Sequence, residues 1–81
     1  MFIPQKIKIA RREVGLTQGQ LIELLFDEKI NISRQTLVSW EHGTTLPRAH
    51  ELAALCMAVN KPVGYFFDLK HFISGKVEKG K

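Results

Sequence analysis

A single cysteine, Cys56, stands among the 81 residues, which excludes an internal disulfide and any zinc site built on cysteines. It falls within an apolar helical pattern and reads as a small buried hydrophobe rather than a reactive thiol. His42, His50 and His71 are too scattered to form a metal set by spacing. Paired carboxylates, an activated nucleophile and a glycine-rich phosphate loop are all missing. Neither catalysis nor a metal or cofactor is therefore expected. No apolar run approaches the ~18 residues of a membrane-spanning helix, so a membrane partner is not expected either. Met1-Phe2-Ile3-Pro4 lacks the basic start and long apolar centre of a secretory signal, and the chain is expected in the cytoplasm. With no internal repeat, no low-complexity tract and no β-alternation, an all-α fold remains.

The composition is 44% hydrophobic and 25% charged, ordinary for a globular protein. This length allows one domain with a single modest core. A formal charge of +4 favours an anionic partner, although many basic proteins bind nothing anionic.

Pro4 suits the first position of a helix, where its missing N–H costs nothing. Ile3, Ile7, Ala10 and Val14 recur at helical spacing and Gly15 stops the run, which predicts a first helix over residues 4–14. Its other side carries Lys6, Lys8, Arg11 and Arg12, a solvated face by default and a phosphate-facing one as the alternative; Ile9 lies off the stripe. Thr17 and Gln20 form a capping-box pattern, so a second helix starts at Gln18, runs to about Glu28 and buries Leu21, Leu24 and Leu25. Gln18 would present its amide and free backbone N–H groups to an anion. Asn31 is expected as a left-handed turn residue. Arg48 opens a fourth helix with Leu52, Leu55, Cys56 and Val59 as its stripe and Asn60 as its cap. Pro62 starts a fifth helix to about Leu69, with Val63, Phe66 and Phe67 as core anchors beside Tyr65. Residues 1–70 thus form the domain, and 71–81 a C-terminal segment. There Phe72 and Ile73 are either a lid or a subunit contact, followed by a basic tail expected to be disordered.

The stretch from Ile32 to Gly43 is the one the others are expected to hold. At about 100° per residue, Leu37 and Trp40 share one side with Ser33, while Gln35, Ser39 and His42 point away. Arg34 and Val38 flank that outer side on one edge and Thr36 on the other. Ser33 is a good N-cap and Gly43 a good left-handed terminator. The outer face carries almost no acid. Arginine and glutamine are the side chains that make bidentate hydrogen bonds to guanine and adenine edges in the major groove. A plain solvated face is the competing explanation.

Gly15-Leu16-Thr17-Gln18, then Leu21, Ile32 to Leu37, Trp40-Glu41-His42-Gly43, Pro47 and Tyr65-Phe66-Phe67 together resemble the Cro and lambda-repressor-like helix-turn-helix family across about residues 4–69. The resemblance implies a compact five-helix domain whose third helix enters the major groove. It implies base contacts at Arg34, Gln35 and Ser39, with Val38 able to meet a thymine methyl. Backbone contacts are implied at Gln18, Thr36, Thr44 and Arg48, with Ser33 placed among them. It also implies an ion pair between Arg11 and Glu41, against the alternative of two independent surface charges. The sequence departs from the family at Ile22, where a small residue is usual. It departs again at Phe26, where about five additional residues replace a tight glycine turn. Threonines at 44 and 45 replace common lysine or arginine.

The function expected from these features is a sequence-specific regulator, a repressor of phage, plasmid or small autoregulatory type, bound to double-stranded DNA as a homodimer. Tyr65, Phe72 and Ile73 are the candidate dimer contacts. The alternative is an antitoxin or adaptor whose main partner is another protein, such as a toxin.

Overall fold

The computed structural model describes residues 1–68. Four α-helices, α1 (Gln5–Glu13), α2 (Gln18–Asp27), α3 (Arg34–His42) and α4 (Ala49–Val59), are followed by one 3-10 turn, Val63–Phe66. α1 packs against α3 and α4, and α2 packs against the same two helices, so each of the last two touches both of the first.

Local chemistry sets most of the boundaries. In α2 the Gln20 N–H donates to the Thr17 hydroxyl at 3.1 Å and the Thr17 N–H to the Gln20 side-chain oxygen at 2.8 Å. These reciprocal bonds satisfy two donors that a helix start otherwise leaves unpaired. Leu21 and Leu25 are fully buried, whereas Leu24, expected beside them, is exposed. Beyond the end of α2 the left-handed residue is Lys29 (φ 69°), not Asn31. The N–H groups of Lys29 and Ile30 donate to the carbonyls of Phe26 and Leu25, both at 2.9 Å, which closes the helix and turns Ile30 into the core beside Leu25. Burying an isoleucine contributes about 1.5–3 kcal/mol, and a left-handed lysine costs about 1–2 kcal/mol. Packing therefore decides where the turn falls.

α3 begins at Ser33, whose hydroxyl accepts the Thr36 N–H at 3.1 Å, and buries Leu37 and Trp40. α4 opens with the Arg48 N–H bonded to Glu51 at 2.7 Å. It inserts Ala54, Leu55, Cys56 and Val59 and stops at left-handed Asn60. Burial pushes the Cys56 thiol pKa up. On α1, Ile7 and Ala10 enter the core while Val14 and Ile9 are exposed.

The expected fifth helix is the main correction. The chain forms only a single 3-10 turn, because Phe67 is extended (φ −121°, ψ 145°) and pairs antiparallel with Phe2. Ile3 donates to the Phe66 carbonyl and Asp68 to the Met1 carbonyl, each at 2.7 Å. These bonds to the chain's beginning take the backbone off the helical path. Phe66 is fully buried, but Val63, expected as an anchor, is 54% exposed. The remainder of that expected helix and the Phe72-Ile73 pair lie outside the described residues.

Gly43 is fixed by two constraints. Its φ is +82°, and a Cβ there would lie 2.9 Å from the Pro4 ring. Gly15 has a similar φ of +77° with nothing within 4 Å. Gly15→Ala is therefore expected to cost about 1 kcal/mol from backbone strain alone. Gly43→Ala should cost about 2 kcal/mol or more, since the proline must also move. Urea midpoints of the two variants measure the difference, and equal midpoints would show that Pro4 gives way freely.

Candidate nucleic-acid interface

Glu41 joins three helices. Its Oε2 accepts from Arg11 Nε at 2.9 Å and its Oε1 from Gln18 Nε2 at 3.1 Å. Arg11 also donates through Nη1 to the Leu16 carbonyl at 2.9 Å. The Arg11 and Glu41 side chains are only 8% and 4% exposed. Arg11 is thus no member of a solvated basic row, and the pair is not two surface charges. Gln18, expected to offer its amide freely, spends one amide proton on Glu41. The N–H groups of Gln18 and Gly19 begin α2 and have no intrahelical acceptor. Among the described residues no buried side-chain nitrogen or oxygen lacks a hydrogen-bond partner.

This junction fixes α3 relative to α1 and to the amino end of α2, with the front of α3 turned to solvent. Arg34 and Gln35 are exposed, and Thr36, Val38 and Ser39 are half-buried. Ser33 and Thr36 hydroxyls lie 3.1 Å apart, so the Ser33 oxygen is engaged in capping. His42 is exposed and its Nδ1 lies 3.0 Å from the Val38 carbonyl. Beyond α3, Thr44 donates its N–H to the Ser39 carbonyl at 2.9 Å. The side chains of Thr44 and Arg48 are exposed. The single acid of α3, Glu41, is buried behind the front.

Charge is separated along α2. At its amino end a depression is lined by Lys8, Arg11, Arg12 and Arg34 together with Gln18 and Gly19, with no carboxylate in its wall. At its carboxyl end Glu23, Asp27 and Glu28 line two depressions that also expose Phe26, Leu24 and Met57. The sequence signal for the basic end was the four-residue spacing of Lys8 and Arg12, which puts both on one helical face. The Gln18–Glu41 bond had no such signal, since 23 residues separate the partners.

Ile22 and Phe26, the two departures, take different environments. Ile22 is partly buried against the core, and Phe26 is 61% exposed on the outer side of the longer α2. Of the candidate dimer contacts, Tyr65 is half-buried, with Lys6 and Lys61 each 4.7 Å from its ring centroid. Lys61 also meets Glu13 at 2.9 Å, a hydrogen bond that raises the lysine pKa. Phe72 and Ile73 lie outside the described residues. Within those residues no histidine, cysteine and carboxylate cluster could hold a metal, and no helix is long and apolar enough to cross a membrane.

A family model described as helix-turn-helix matches residues 7–66. No curated protein and no solved structure matches the chain. The match takes in α1 from Ile7 onward, all of α2, α3 and α4, and the 3-10 turn.

Proposed function

The chain belongs to the Cro and lambda-repressor-like helix-turn-helix family, a family of DNA-binding regulators rather than enzymes, and from that premise we propose that it represses transcription by binding an inverted-repeat operator as a homodimer. The observation that carries this reading is the exposed, acid-free front of α3, backed by the buried Arg11–Glu41–Gln18 junction. Gln35, Val38 and Ser39 face the base edges, Gln35 through a bidentate pair and Val38 against a thymine methyl. Arg34 joins them from the amino end of α3. Thr36, Thr44 and Arg48, with Ser33 and the first-turn N–H groups at Gln18, take the phosphates. These set register without reading sequence. Two copies double the number of base pairs read, and one turn of duplex, about 34 Å, separates their α3 helices. Tyr65, Phe72 and Ile73 are the proposed contacts between copies.

Selection from random duplex DNA tests the proposal. Enrichment of an inverted repeat is the expected result, and a pool that stays random would refute it. Within the selected site, Gln35→Ala is expected to lose about 1–3 kcal/mol at one base pair only. Arg48→Ala should weaken all sequences alike and lower the salt slope by about 1. A uniform loss for Gln35→Ala would remove that residue from the readers.

A second reading, an antitoxin or adaptor gripping another protein, is favoured by one feature. Phe26 and Met57 are 61% and 70% exposed among the acids at the carboxyl end of α2. Copurification of a small basic protein that Phe26→Asp releases would support it, and retention of that protein by the variant would count against it.

A further inference from the structure

We infer that Gly19 is a specificity-determining position, because the absence of a side chain there sets where the Arg34 guanidinium rests and hence which base edge it meets. The inference rests on the proposed DNA-binding role and deepens it. Arg34 is the first residue of α3, and among the described residues no hydrogen bond or ion pair to an acid anchors it. An unanchored arginine is spread over many rotamers, and ordering it opposes any precise contact. The feature that limits it here is the first turn of α2. A Cβ on Gly19 would lie 3.3 Å from Arg34 Nη2, closer than ordinary van der Waals contact, and the two residues line the same depression. The guanidinium therefore lies against a bare stretch of α2, in space a side chain at position 19 would occupy.

The neighbours sharpen this placement. Lys8 and Arg12 line the same depression and no carboxylate does, so no acid there draws the guanidinium away from the α2 surface. Bidentate recognition of a guanine edge needs both donors within hydrogen-bonding distance of their acceptors at once. Alanine at position 19 would move the guanidinium by a few tenths of an ångström, whereas leucine would push it off the helix. Both substitutions raise helix propensity relative to glycine. A change in base reading would thus come without loss of stability, an outcome that a merely structural glycine does not give.

The test compares wild type, Gly19→Ala, Gly19→Leu, Arg34→Ala and the Gly19→Leu/Arg34→Ala double variant, each by selection from random duplex DNA and by Tm. Gly19→Leu is expected to lose about tenfold of the preference at one base pair, the same pair that Arg34→Ala loses. Gly19→Ala should lose about twofold there, with Tm equal to or above wild type in both. The double variant should be no worse than Arg34→Ala alone, since the glycine acts only through the arginine. An unchanged base profile in Gly19→Leu, or losses that add in the double variant, would overturn the inference while leaving the DNA-binding role intact. If wild type itself enriches no duplex, both fall together. Should Gly19→Leu fail to fold, Gly19→Ala decides by the same comparison.

Discussion

Glu41→Ala is expected to cost about 3–5 kcal/mol, because it leaves the Arg11 guanidinium buried without its counter-charge. At about 4–8 °C per kcal/mol for a domain of this size, the Tm should fall by roughly 12 °C or more. Gln18 loses its acceptor in the same step, so the polar tie between the amino end of α2 and α3 is lost as well. DNA affinity should drop further than unfolding alone explains, since the angle at which α3 is presented is no longer fixed. Replacing both partners, Arg11→Met with Glu41→Leu, should restore much of the stability, because no unpaired charge is left inside. It should not restore affinity, as Gln18 stays untethered. Thermal melts and binding curves on the two proteins separate these effects. A Tm unchanged in Glu41→Ala would mean that the carboxylate contributes nothing at this junction.

Phe66→Ala is the second large effect, at about 3–5 kcal/mol for a fully buried aromatic. The ring fills the core between α1 and α4 and contacts the rings of Phe2 and Tyr65. The cavity should therefore loosen the pairing of residues 1–3 with residues 66–68. Val63→Ala is the matched control: more than half exposed, it should change stability by less than about 0.5 kcal/mol. Guanidinium unfolding of both variants measures the contrast. Comparable losses would mean that Val63 is packed as the sequence pattern predicted, in a continuous helix after Pro62.

That contrast marks where the sequence is legible and where it is not. Thr17, Gln20, Ser33, Gly43 and Asn60 announce helix ends because capping is chemistry between residues a few positions apart. The inward side of α3 was legible for the same reason, since Leu37 and Trp40 are one turn apart. From Pro62 to Asp68 the chain departs from the helix its local pattern predicts because its course is set by Phe2 and Ile3, more than sixty positions away, and no local pattern carries that. Lys29 took the left-handed role over Asn31 because the requirement was to bury Ile30, a tertiary demand that overrode residue preference. On the front of α3, polarity alone marks Gln35 and Ser39. The Arg11–Glu41 pair came only through the family resemblance. The approach of Arg34 to Gly19 lay beyond both, because it depends on how two helices cross.

The Met1 ammonium lies 3.3 Å from the Asp68 carbonyl, and the Asp68 N–H donates back to the Met1 carbonyl at 2.7 Å. The described fold therefore enters and leaves through one doorway. With residues 69–81 removed, a few residues of linker can splice that doorway shut, and the exposed loop at Thr44 to Leu46 then offers a place to cut new termini. The same closeness lets residues 1–68 be grafted into a surface turn of a host protein, whose two chain ends need stand only about 5 Å apart, the spacing of neighbouring strands, to receive them.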